Sequence, residues 1–320
     1  MNPILDVQNL SIDYLANGIP LHAVEGINFH IDKGRSLALV GESGCGKTTT
    51  MLSLLRLLPA EGRIVSGKII YEGTDLLSLS EAHMREYRWN RIAIVFQGAM
   101  NALNPVQRIS DQIAESILRQ PHTRITRKQA LSQVGDLIEL VGIPQDRARQ
   151  YPHQFSGGMR QRAMIAMALA CKPDILIADE PTTALDVMIQ AQILSLLQSL
   201  QRDLGLAVLL VTHDLGVVAE ICNDVLVMYG GTVAEYGSVD EIFNNPRHPY
   251  TQRLLEAFPD VNNPTAALAS IPGHPPALDE IPPGCRFEPR CHLRTEICQS
   301  TSPAAREHHR GHIVACHHAG

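Results

Sequence analysis

The 320-residue chain lacks any apolar run able to cross a bilayer: the longest, residues 163–171, is about half of the roughly 20 residues that a spanning helix needs. It also lacks an excess of positive charge. With 27 Lys and Arg against 33 Asp and Glu, the formal net charge is −6, which offers no generally basic surface for nucleic acid. The opening MNPILDVQNLSIDY has no basic start followed by an apolar stretch, so no secretory signal is expected. These absences point to a cytosolic chain whose membrane role, if any, is reached through partners. No internal repeat is visible. What is present is an ordinary globular composition, 45% hydrophobic and 19% charged, long enough to bury a large core.

Residues 4–15 and 21–31 carry apolar residues as strands do, around an Asn17-Gly18 turn. Ser36–Val40 is a short apolar strand that runs into a glycine-rich loop. Residues 48–58 read as a helix closed by Pro59, and residues 68–71 and 91–96 read as strands. From about residue 107 to 170 the pattern is helical, with Ala130, Val134, Leu137, Ile138 and Val141 at helical spacing. Residues 175–178 and 207–212 read as buried strands. The helix predicted between them puts Ile189, Ile193, Leu196, Leu197 and Leu200 on one face. Strands alternating with helices imply a mainly parallel sheet, with ligand at the carboxyl ends of the strands. Beyond residue 245 prolines break the periodicity and seven of the 14 histidines lie past residue 270, so a boundary is expected there, giving domains 1–245 and 246–320.

Residues 41–48, GESGCGKT, fit the P-loop pattern between a strand and a helix. Ser43, Gly44, Cys45 and Gly46 would close backbone N–H groups around phosphates, where a helix start adds a favourable dipole. Lys47 would pair with phosphate oxygens and the Thr48 hydroxyl with Mg²⁺, with Thr49 beside it in the nucleotide site. Asp179 and Glu180 end an apolar strand. A strand-terminal Asp near a P-loop is suited to hold Mg²⁺ through water, and the next carboxylate to polarise an attacking water, an effect typically of ~10²–10⁴ in rate. Ser156-Gly157-Gly158 opens a helix, with Ser as N-cap and paired glycines exposing amides to an anion. Gln97 stands alone after a strand, and His213 follows another in VTHD. Two phosphate-binding loops of different design in one chain can close a nucleotide between two copies of it, or between it and a relative.

In this order the motifs resemble the ATP-binding subunit of an ABC transporter, over roughly residues 4–245. The resemblance makes GESGCGKT the Walker A loop, FSGGM the signature, ILIADEP Walker B, Ala184-Leu185-Asp186 the D-loop and His213 the switch histidine at the γ-phosphate. It makes Gln97 the Q-loop residue that reaches Mg²⁺ and links the site to the membrane subunit, and Tyr14 the adenine-stacking aromatic. It implies an α/β fold: a P-loop RecA-like core with an antiparallel β-subdomain and a helical subdomain. Two such subunits would pack head to tail, each ATP lying between one Walker A and the opposite signature. The chain departs from the family pattern at Phe155 and Met159, where Leu and Gln are general, and in GAMNALNP after Gln97.

NPRHPYT at 245–251 and GCRFEPRC further on are similar to the C-terminal extension of dipeptide/oligopeptide and nickel importer ATPases. That similarity implies a peripheral subunit on the cytoplasmic side of the membrane, in a binding-protein-dependent importer. Its partners would be a second related ATPase in a heterodimer, two integral membrane permease subunits and an external solute-binding protein, with no nucleic acid. Di- and oligopeptides are the expected cargo; nickel, oligosaccharide or another solute stays open, as does a soluble non-transport ABC ATPase. Cys285, Cys291, Cys298 and Cys316 supply four thiolates in the small Pro/Cys-rich extension, enough for zinc or an iron–sulfur cluster. The subfamily resemblance implies a [4Fe–4S] cluster, with Zn²⁺ as the alternative. His308, His309, His312, His317 and His318 read as a solvated tail.

Overall fold

Asn17 and Gly18 both take positive φ, 52° and 81°, as a tight two-residue hairpin turn demands, and the strands they join pair from Ala16 opposite Ile19 outward. The computed structural model that contains this hairpin describes residues 3–98, 102–120, 124–183, 185–257 and 271–319. The chain falls into two units, one drawn from residues 1–32, 36–78 and 211–320, the other from 33–35 and 79–210. In chain order the first unit opens with β1 (Leu5–Ala16), β2 (Ile19–Ile31), β3 (Ser36–Val40), α1 (Lys47–Leu54), β4 (Gly62–Tyr71) and β5 (Thr74–Asp75). The second unit holds α2 (Glu81–Tyr87), β6 (Ile92–Val95), α3 (Ile109–Leu118), α4 (Arg127–Leu140), α5 (Gly157–Leu169), β7 (Ile175–Asp179), α6 (Val187–Leu204) and β8 (Ala207–Val211). The chain returns to the first unit with α7 (Leu215–Ile221), β9 (Asp224–Tyr229), β10 (Thr232–Ser238), α8 (Val239–Asn244), α9 (Pro249–Glu256), α10 (Glu296–Ser300), β11 (Arg306–His309) and β12 (His312–Val314).

The first unit carries an antiparallel sheet in the order β2-β1-β4-β5 and a second run of strands in the order β11-β12-β10-β9-β3. β3 and β9 are parallel, whereas β9, β10, β12 and β11 pair antiparallel. In the second unit the order is β8-β7-β6, with β6 and β7 parallel. Every residue of β3, β6, β7 and β8 is buried, as continuous apolar strands covered on both faces should be. On α4, Ala130, Val134 and Ile138 are buried, and on α6 Ile193, Leu196, Leu197 and Leu200 are, so the helical periodicity found its core faces.

Two readings need correction. The helix expected over residues 48–58 stops at Leu54, because Arg56 turns left-handed (φ 52°). The Leu57 N–H then donates to Leu52 O and the Arg56 N–H to Ser53 O, a Schellman closure that satisfies the last carbonyls without glycine. The histidine tail is not simply solvated. His312 is fully buried on β12, its Nε2 lies 2.7 Å from Glu235 Oε1 on β10, and its Nδ1 is 3.4 Å from Glu241 Oε2. Spacing alone could not reveal this, since the partners lie about seventy residues upstream and meet only when β12 adds to β10.

The same Glu235 accepts the backbone N–H groups of Arg247 and His248. His248 caps α9, its Nδ1 accepting the Tyr250 N–H at 3.0 Å. Burial pushes its pKa down from 6.5 to about 4, against a bond at Ala315 that works the other way. Between about pH 4 and 6.5 a base depressed in this way is neutral in the fold and charged in the unfolded chain. Its contribution is therefore complete above about pH 6.5 and is lost as pH falls toward 4. The shift is worth on the order of 3 kcal/mol. Thermal melts at pH 7 and pH 4.5 should show a steeper loss for the unmodified chain than for His248→Asn, which keeps a capping acceptor; parallel pH profiles would refute the assignment.

Candidate active site

β3 delivers the chain directly into the loop 41–46, and Gly41 shows why the loop is written in small residues. Its φ is 145°, and a Cβ there would collide with the Met228 carbonyl of β9. The Lys47 side chain is buried and folds back over its own loop, donating to Gly41 O at 2.7 Å and Glu42 O at 2.9 Å, with Cys45 Sγ at 3.6 Å. Burial raises the Cys45 thiol pKa, with Lys47 pulling it the other way, so Cys45 acts as a small neutral filler under the loop. Ser43, Gly44 and Thr48 are exposed. Tyr14 reaches the same place from β1, its hydroxyl 3.4 Å from Thr49 Oγ1. His213 emerges exposed after β8, next to the strand end that feeds the loop, because the Thr212 N–H donates to Leu39 O. Asp214 then caps α7. Walker A, Tyr14 and His213 thus all belong to the first unit.

The second unit holds the carboxylates. Asp179 is the buried last residue of β7. Glu180 follows it with a positive φ of 45°, a strained conformation for a residue with a side chain and one that clusters at functional sites. Gln97 Nε2 donates to Glu180 Oε2 at 2.6 Å, and Thr183 Oγ1 donates to the same oxygen at 2.9 Å. Ser156 caps α5 by accepting the Met159 N–H at 3.3 Å, as expected. Asp186 caps α6 through Ile189 N at 2.9 Å. A Cβ on Gly158 would lie 2.5 Å from Ile189 Cγ2, so this buried glycine packs α5 onto α6. Ala184 of the D-loop and residues 99–101, within the GAMNALNP departure at 98–105, lie outside the described residues.

Residues 24–183, half of the chain, match the family model described as ABC transporter, and residues 234–298 match the model for the C-terminal region of oligopeptide/dipeptide transporters. The chain belongs to the ABC transporter family. It is an ATP-binding, ATP-hydrolysing subunit coupled to transport. It is 47% identical to the dipeptide transport ATP-binding protein DppD of Bacillus subtilis (strain 168), covering 99% of this chain and 95% of the relative. It is 49% identical to a probable peptide ABC transporter ATP-binding protein, y4tR, of Sinorhizobium fredii, covering 98% and 94%. A dimeric, post-hydrolysis structure of the ATP-binding cassette MJ0796 bound to ADP and Pi superimposes with a TM-score of 0.65 at 25% identity, covering 73% of this chain and 98% of that one. The RecA-like core with β- and helical subdomains is thereby established. No helix among the described residues is long and apolar enough to cross a membrane.

The four tail cysteines are not arranged as a metal centre among the described residues. Burial pushes Cys285 up to about 11 and raises Cys291 and Cys316, and the charges of neighbouring cysteines add to each shift, so the thiols are within electrostatic reach of one another. Yet among the described residues no group of three or more His, Cys, Asp or Glu is placed to hold a metal ion. Cys298 instead sits 3.5 Å from Thr295 Oγ1 and 3.7 Å from His318 Nε2. The expected zinc or [4Fe–4S] cluster therefore has no support in this geometry. Sequence reasoning also missed the part played by Glu42 within the loop, and Tyr250 and Arg290, which hold it. Glu42 had no motif role, and the other two lie more than 200 residues from it.

Lys47 holds loop carbonyls where phosphate oxygens would take over its charge-assisted bonds. A hydrogen bond to a charged group is worth about 1.5–3 kcal/mol, so Lys47→Ala should weaken ATP binding by roughly 10- to 100-fold in a fluorescent-nucleotide titration. Unchanged affinity would remove Lys47 from the site.

Proposed function

We propose that this chain powers the uptake of di- or oligopeptides as one of two related ATPases bound to two membrane permease subunits, on the cytoplasmic face of the membrane and fed by an external binding protein. The observation that carries the reading is the pairing of an ABC cassette with a 234–298 extension of oligopeptide/dipeptide-transporter type, in a chain similar along its whole length to proteins named for peptide transport. Residues 1–245 would be the ATPase domain and 246–320 the extension.

In this reading ATP is held by the amides of residues 43–48 and by Lys47, with Thr49 alongside and Tyr14 stacking on the base. Mg²⁺, when bound, neutralises phosphate charge; Thr48, Gln97 and Asp179 are the oxygen donors suited to it. Glu180 accepts a proton from the attacking water, oriented by the Gln97 amide and the Thr183 hydroxyl. His213 reaches the γ-phosphate. Ser156, Gly157 and Gly158 of one subunit close on the ATP of the other, and Asp186 lies in the D-loop between them. Closure around ATP would drive the permeases toward their outward-facing form, and hydrolysis would release them.

The thiolate-only set Cys285, Cys291, Cys298 and Cys316 suits soft metal chemistry, and we extend the proposal to a structural [4Fe–4S] cluster there, with Zn²⁺ as the alternative. Anaerobic purification should yield close to four iron atoms per chain; protein free of both iron and zinc refutes this part.

Co-expression with the neighbouring permeases should give a membrane complex whose ATPase is stimulated by peptide-loaded binding protein. Glu180→Gln should bind ATP normally while turnover falls by ~10²-fold or more. Normal turnover in that variant, or a chain that never joins a membrane complex, would overturn the reading. Nickel or oligosaccharide stimulation without peptide response would redirect it.

A further inference from the structure

The tail reaches back to the phosphate loop. Arg290 Nη1 and Nη2 donate to the two carboxylate oxygens of Glu42 at 2.6 and 3.0 Å, the bidentate geometry that only a guanidinium provides. Nη1 also donates to the Tyr229 hydroxyl at 3.2 Å, Nη2 to Ile271 O at 3.3 Å and Nε to Pro272 O at 2.7 Å. Every nitrogen of the guanidinium is therefore used to its full donor capacity, and its side chain is 5% exposed. Burial works against its charge, yet the bonds to Glu42 and Tyr229 hold its pKa above the ordinary arginine value.

Glu42 is gripped at three points. Its side chain is held by Arg290, its N–H donates to the Tyr250 hydroxyl at 2.9 Å, and its carbonyl accepts from Lys47. Tyr250 is fully buried, its ring tilted at 59° against Tyr229 (centroids 4.6 Å) and against Phe287 (5.3 Å), so the hydroxyl that holds the loop is fixed by packing on its ring. Arg286, four residues before Arg290, donates to Gly230 O and to Glu25, tying the same segment to the turn after β9 and to β2. Everything in this brace lies within the first unit.

We propose that Arg290 and Tyr250 are positioning residues for ATP binding: the tail holds Glu42 so that the loop keeps its phosphate-ready form. The C-terminal extension is then part of the nucleotide site and not only an appendage. This inference rests on residues 43–48 binding ATP phosphates. With the brace released, Glu42 and the amides behind it become mobile, and the ordering cost falls on nucleotide binding.

The test is titration of the full chain with a fluorescent ATP analogue and Mg²⁺, run beside thermal melts. Arg290→Ala should raise Kd about tenfold, equivalent to roughly 1.4 kcal/mol, and Tyr250→Phe several-fold. Arg290→Lys, which keeps charge and loses the fork, should recover only part of the affinity. In a double-mutant cycle, Arg290→Ala should cost little further once Glu42 is already alanine, because the effect passes through that side chain. In the assembled transporter, KM for ATP should rise while kcat at saturating ATP stays within about twofold. If Arg290→Ala fails to fold, Arg290→Lys and Glu42→Gln carry the same comparison. Melting temperatures that fall while Kd stays constant across these variants overturn the brace alone. No binding by the unmodified chain overturns the phosphate-loop reading as well.

Discussion

A loop that binds phosphate through its backbone amides must be almost bare of side chains, and a bare loop has little with which to hold itself. Gly41 turns where a Cβ would strike the Met228 carbonyl, and Gly44 and Gly46 add further left-handed turns. The long side chains left in the segment therefore carry the burden. Lys47 closes on the loop from inside, and Glu42 leaves it for the surrounding structure. The buried Lys47 charge is tolerable because its ammonium bonds Gly41 O and Glu42 O, and the part-buried Glu42 carboxylate is met at both oxygens by Arg290. The extension, the aromatic cluster of Tyr229, Tyr250 and Phe287 with its tilted and edge-on rings, and the turn after β9 are arranged around that need.

The second unit meets a similar problem with carboxylates. β7 ends in a buried Asp179, and the next residue breaks the strand by turning left-handed. That turn presents the Glu180 carboxylate beyond the sheet, where Gln97 and Thr183 orient it. Gly158 has a packing duty, since Ile189 occupies the space a side chain would need. The helix that carries the signature is thus seated on the helix that follows the D-loop, and a change at one would be felt at the other.

The motif-bearing residues were legible because their chemistry is local. Ser156 caps its helix, Asp179 ends its strand and Lys47 lies on its loop, each within a few residues of where the pattern put it. The hairpin at Asn17-Gly18 was legible for the same reason. The end of α1 was not, because Arg56 adopts a conformation that usually calls for glycine, and Pro59 looked like the natural stop. His312 was misread because a polar, proline-broken tail looks solvated until β12 joins β10 and buries the imidazole against Glu235.

Residue types and their spacing determined by themselves the cassette, its order of motifs and the family, since backbone amides, capping hydroxyls and strand-end carboxylates act through neighbours in the chain. Only the tertiary structure decided who supports them. Arg290 meets Glu42 across 248 residues and Tyr250 across 208, and no periodicity records such a pairing. A contact between distant residues becomes visible only when strands β9, β10 and β12 have brought the tail to the loop.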